Sequence, residues 1–227
     1  MTNNYEPQTG DIYVMWGSGL ISRIIRWLEK ALFGAKQAPS HAQVVVNAEV
    51  ALSAGKGGVR YVSTDVTNYK GDVAVMRPKI YAVGPYRTLT EDEQRKIKDV
   101  AGLYFGRGYD YFNYLIWLGR VSIVPVALAL GFVWPLVGWW GRGGMVAIVL
   151  FLSIANPIHK WLKKEQTSHW HCSELVGQMM AHVNVSFGYE DTNYLAPVHI
   201  WQSATVCPER WDVFYIKTGK YIDDPEA

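Results

Sequence analysis

Two cysteines in 227 residues, Cys172 and Cys207, are too few and too irregularly placed for a disulfide framework. Their scarcity fits a reducing compartment and leaves a thiol free for chemistry. An excess of one charge is missing as well. The chain carries 22 basic and 20 acidic residues, a net +2, and so gives no case for a nucleic-acid partner. Internal repeats and low-complexity tracts are absent. Met1 to Gly10 is polar and lacks the apolar stretch and small-residue cleavage site of a signal peptide, which predicts a domain that stays in the cytoplasm. The length suits one domain, residues 1–227, with an insertion at 112–163.

What is present is an alternation of β-branched strands and amphipathic helices. Asp11 to Trp16 reads as a strand. Ile21, Ile24, Ile25, Leu28 and Leu32 then recur at helical spacing opposite Arg23, Arg26, Glu29 and Lys30, with Gly34 as a stop. That apolar stripe is expected to face the core, although its basic polar side would also suit anionic lipid. His41 to Val46, Val50 to Ala54 and Val59 to Ser63 predict an antiparallel meander, and Gly71 to Arg77, closed by Pro78, a further strand. Thr90-Glu91-Asp92-Glu93 is a capping box that opens a helix with Ile97, Val100, Ala101 and Tyr104 on its apolar face. Phe187 to Glu209, with Pro197 and Pro208, reads as loop-rich, and Asp212 to Lys217 as a last strand.

Between Tyr111 and the final third the composition changes. Val121 to Gly141 is a run of 21 residues without a charge, and Met145 to Ile158 a second of 14. As helices they would reach about 30 Å and about 21 Å, and the second lengthens to about 26 Å if carried to Trp161 with Lys160 snorkelling. Trp117, Trp139, Trp140 and Trp161 mark the ends as an aromatic belt would. Arg107, Arg120, Lys160, Lys163 and Lys164 gather on the side to which both ends return. The pattern predicts an apolar helical hairpin that meets a membrane through residues 121–160. A pair of helices buried in a soluble assembly and an insertion lying in one leaflet are the alternatives, and Pro125, Pro135 and Pro157 weaken a simple spanning pair.

The candidate chemistry lies just beyond, in His169-Trp170-His171-Cys172-Ser173-Glu174-Leu175. Leu175, Val176, Met179 and Val183 place Cys172 at the start of a helix, where unpaired N–H groups and the helix dipole favour a thiolate. A buried structural cysteine is the other reading. A lone reactive cysteine needs a base from elsewhere in the chain, and His41, at the start of its strand, is the candidate. Ser53, twelve residues on, falls on the neighbouring strand beside it. His169 and His171 next to Cys172 suggest zinc, but three ligands within four residues give poor tetrahedral spacing and predict no metal site. They read instead as flanking or substrate-contacting residues.

In their order these stretches resemble a known family, the circularly permuted NlpC-type papain-like cysteine hydrolases, which include YiiX/YaeF-like amidases and lecithin:retinol acyltransferase-like enzymes. The matching stretches are Gly10-Asp11-Ile12, Ser40-His41, Gly57-Gly58-Val59-Arg60, Tyr109-Asp110 and Cys172-Ser173-Glu174-Leu175. Asn193 to Val198 and the strand at Asp212 also look like the segment that follows the cysteine helix. The resemblance implies an α+β, permuted papain-like fold: a small antiparallel sheet packed on helices, with the apolar hairpin inserted. It implies Cys172 as nucleophile, His41 as general base and then acid, and a third polar residue at Ser53, where the family often has Glu or His. Asn47 and Glu49 are alternatives for that orienting role.

The expected function is therefore thioester-forming hydrolysis or transfer of an amide or ester, without a cofactor, on an acylated, lipid-linked or peptide substrate at a membrane. A peptidoglycan peptidase and a non-catalytic binding or structural protein that keeps the fold are the competing readings.

Overall fold

The computed structural model describes residues 5–67, 69–81, 86–109, 169–188 and 195–217. Its centre is β1 (Ile12–Gly17), every residue of which is buried. A strand can be buried on both faces only if other chain covers each of them, and here two clusters do so. Ile12, Val14 and Trp16 join the larger one, while Tyr13 and Met15 join the smaller. β1 pairs with β2 (His41–Val45) on one side and β5 (Gly71–Pro78) on the other. β3 (Val50–Gly55), β4 (Gly58–Ser63) and β10 (Trp211–Lys217) complete a six-stranded sheet in the order β10-β5-β1-β2-β3-β4, and all its ladders are antiparallel. Two short strands, Ile80–Tyr81 (β6) and Tyr86–Arg87 (β7), form a small separate ladder that the sequence did not announce.

The helices bring apolar faces to the larger cluster. α2 (Glu91–Tyr104) starts where the capping box predicts, with both of its reciprocal bonds made, and buries Ile97, Val100, Ala101 and Tyr104. α3 (Cys172–Ala181) packs against β2 and β3 and contributes Leu175, Val176, Met179 and Met180. α4 (Pro197–Val206) adds Ile200, and its Trp201 meets Trp16 edge to face at 5.0 Å. α4 corrects the expectation of a loop through Phe187 to Glu209. Pro197 is the first helical residue, where its missing N–H costs nothing, and His199 Nδ1 accepts the Ala196 N–H at 3.1 Å.

α1 (Leu20–Phe33) ends at Gly34, whose left-handed backbone lets its N–H reach the Lys30 carbonyl. Its orientation overturns the sequence expectation. Ile25, Arg26 and Glu29 are buried, and Phe33 sits edge to face on His199, whereas Leu20, Ile21, Ile24 and Trp27 are exposed. Helical periodicity identifies an apolar face but does not say what covers it. In this helix the protein side takes the mixed face.

The described residues, His169 apart, belong to one compact unit formed by 1–109 and 170–227. Gly108–Tyr109 (β8) and His169–Trp170 (β9) pair in a two-stranded ladder, so chain on either side of the insertion is held together. Among the described residues no helix is long and apolar enough to cross a membrane. The hairpin expected within 112–163 lies outside the described residues.

Candidate active site

β1 and β2 run antiparallel with Met15 opposite His41, so the end of β1 and the start of β2 lie together. Ser40 fixes that corner: its N–H donates to the Met15 carbonyl at 2.9 Å, and its Oγ accepts the Gly17 N–H at 3.0 Å. His41 follows. Its Nε2 lies 2.8 Å from Ser53 Oγ, on the neighbouring strand β3. The residue as a whole is half-buried, and desolvation of its ring by the packing around it pushes its pKa down from 6.5 to about 4. The imidazole is therefore neutral near pH 7.

Asn47 and Glu49 do not take the orienting role. Asn47 Oδ1 accepts the N–H groups of Glu49 and Val50, both at 2.9 Å, which ties up its side chain in the β2–β3 turn; both residues are exposed.

Cys172 is the first residue of α3 and is 3% exposed. His171 is the N-cap: its Nδ1 accepts the Glu174 N–H at 3.2 Å. That bond places the ring proton on Nε2, which points to Glu174 Oε2 at 3.5 Å. Ser173 Oγ donates to the Leu195 carbonyl, anchoring the first turn to the segment that leads into α4. Sequence reasoning read His171 as a flank or substrate contact. The structure gives it the task of capping the helix that carries the thiol.

Tyr69 is the residue the sequence did not single out. Its hydroxyl lies 3.0 Å from where a Cβ on Gly17 would stand, at the corner held by Ser40. Burial raises its pKa to about 12. The Arg26 guanidinium opposes that shift, and negative charge on Cys172 and Asp72 adds to it. Cys172 is thus within electrostatic reach of the corner where β2 begins.

The pleat adds a constraint. Ala42, Val44, Leu52 and Ala54 share the larger core with Cys172, so alternation turns His41 and Ser53 to the opposite side of their strands, with Met15, Val45 and Ala51. A ring and a thiol so placed can approach one another around the start of β2, not across the sheet face. The structure brings His41 and Ser53 into direct contact, and it packs α3, which begins at Cys172, against the same two strands from the other side.

Among the described residues no three His, Cys, Asp or Glu side chains form a group that could hold a metal ion. A cavity of about 760 Å³ opens elsewhere, between the end of α1, α4 and the start of β10. Cys207 and His199 line it, but Cys172 and His41 do not. Comparison with protein-family models gives no match to the chain, and comparison with curated proteins gives none either.

Proposed function

We propose that the chain is a thiol-dependent acyl hydrolase or acyltransferase of permuted papain-like type, with Cys172 as nucleophile, His41 as base and acid, and Ser53 as the residue that orients His41. The 2.8 Å contact between His41 and Ser53, made between the two strands on which α3 packs, carries this reading. The family-like order of Ser40-His41, Gly57 to Arg60 and Cys172 to Leu175 supports it.

Ser53 Oγ accepts the Nε2 proton, which leaves the Nδ1 lone pair of His41 facing away from Ser53 and free to act as base. A neutral imidazole is the form needed to take the thiol proton. The Cys172 sulfur then bonds to the carbonyl carbon of an amide or ester, and first-turn N–H groups of α3 stabilise the oxyanion. As the carbon–nitrogen or carbon–oxygen bond breaks, the imidazolium returns its proton to the leaving group. Water, or an acceptor hydroxyl or amine, gives a proton to His41 and attacks the thioester; the acyl product departs and the thiol is restored. The uncharged runs at 121–141 and 145–158 favour an acylated or lipid-linked substrate at a membrane.

The low exposure of Cys172 favours a second reading, a binding or structural protein with a packed thiol. Labelling the intact protein with an electrophilic acyl probe separates the two. The enzyme reading expects Cys172 to react faster than Cys207 and His41→Ala to abolish the difference. Equal rates at the two thiols would leave the structural reading standing.

A further inference from the structure

The apolar face of α1 is the largest departure from core-inward packing among the described residues. Leu20 is 73% exposed, Ile21 60%, Ile24 45% and Trp27 68%. At a turn of about 100° per residue these four lie within one broad stripe. The residues at Ile25, Arg26 and Glu29 point the other way and are buried, with Glu29 at 0%. A helix that turns four large apolar side chains outward and a carboxylate inward is shaped for an apolar partner outside the domain.

Charge identifies that partner. α1 contains one acidic residue, Glu29, and it is withdrawn from the surface. The exposed charges of the helix and its exit are Arg23, Lys30 and Lys36, all basic. An apolar stripe with a tryptophan, whose own helix exposes only positive charge among its described residues, matches the boundary between acyl chains and anionic headgroups. A protein partner would ordinarily meet charges of both signs at the rim. With 14 residues the helix reaches only about 21 Å, too short to span a bilayer and long enough to lie in its plane.

We propose that α1 is an interfacial helix that docks the domain on an anionic bilayer, with Leu20, Ile21, Ile24 and Trp27 entering the headgroup–acyl boundary. This contact is distinct in sequence from the uncharged runs at 121–158 and does not rest on the thiol chemistry. It bears on the proposed site, because α1 leaves the sheet just after Gly17, at the corner that holds Ser40, His41 and Tyr69. Docking α1 brings that corner to the lipid surface.

The full chain is mixed with vesicles of phosphatidylcholine alone, or of phosphatidylcholine with phosphatidylserine, each containing bromine-labelled acyl chains that quench tryptophan at short range. The proposal expects a quenched fluorescence component in the anionic vesicles that disappears in Trp27→Phe and is reduced severalfold by raised salt. Ile21→Ser with Ile24→Ser, both at exposed positions, is expected to weaken the Trp27 component tenfold or more with unchanged circular dichroism. If wild type and Trp27→Phe are quenched alike while the protein still sediments with vesicles, the membrane contact lies elsewhere in the chain and the proposal for α1 is overturned. If the serine pair instead converts a lipid-free dimer to monomer and leaves quenching intact, the face is a contact between copies, and the proposal is likewise overturned. Cys172→Ala is expected to dock as wild type does, so failure of the chemistry and failure of docking are read separately.

Discussion

His41 Nε2 and Ser53 Oγ stand 2.8 Å apart at twelve residues' separation, a distance the β2–β3 hairpin sets by closing through Asn47 to Glu49. A hydroxyl at this place orients an imidazole but brings no charge to stabilise an imidazolium. Desolvation accordingly keeps the ring neutral down to pH about 4.

Ser53→Ala is expected to slow alkylation of Cys172 by iodoacetamide about fivefold near pH 7, the order that a neutral hydrogen bond of roughly 1 kcal/mol supplies. Ser53→His, which restores a ring partner, is expected to recover most of that loss. Reaction of Cys207 in the same samples provides the internal reference. An unchanged Cys172 rate in Ser53→Ala would remove Ser53 from the site.

The neutral state of His41 also couples stability to pH. The unfolded chain takes up a proton near pH 6.5 and the folded protein only near 4, so between these values the unfolded form holds more protons. The contribution is complete above about 6.5 and is lost as pH falls toward 4. Urea denaturation of wild type is expected to lose up to about 1 kcal/mol more than His41→Gln between pH 7 and 5, allowing for the partial exposure of the residue. Parallel pH slopes for the two proteins would contradict the assigned state.

Asp11 and Arg77 offer a test of the scaffold. The Asp11 carboxylate is 1% exposed and accepts from Arg77 Nε at 2.8 Å and Nη2 at 2.9 Å, from the Tyr5 hydroxyl at 2.6 Å and from the Gln8 N–H at 2.9 Å. Burial, helped by the same carboxylate, pushes the pKa of the Tyr5 hydroxyl upward, which keeps it a donor. Arg77→Met strands a buried charge and is expected to cost about 3–5 kcal/mol in the urea transition. Arg77→Lys keeps the charge but not the two-pronged fork and should fall between. Adding Asp11→Asn to Arg77→Met is expected to return part of the loss, since the stranded charge is then gone.

Much of this was written locally in the chain. The capping box at Thr90 and Glu93 specifies the start of α2 because both of its bonds form within four residues. The meander from His41 to Ser63 is legible because β-branched runs alternate with Asn and Gly turns. Three features were not legible. Pro197 marks the first turn of a helix as readily as a loop, and neighbouring residues do not decide between them. The stripe of α1 shows where apolar side chains lie but not whether the protein or its surroundings cover them. Tyr69 reaches the Cys172 end of the sheet from a connecting segment, and nothing in its neighbours' pattern signals a contact made at such separation in sequence.

The outermost strand β10 closes the sheet against β5, and the ion pair sealing that ladder, Lys79 with Asp212 at 2.9 Å, joins residues 133 apart. On the ribosome, β1 to β5 emerge well before either α3 or β10. Until those arrive, β5 presents an open edge and the larger core lacks its thiol-bearing wall. The corner of His41 and Ser53 can therefore form early, whereas Cys172 is added only after the long intervening stretch has been synthesised. The order of synthesis thus makes the proposed thiol–imidazole pairing wait on the last third of the chain.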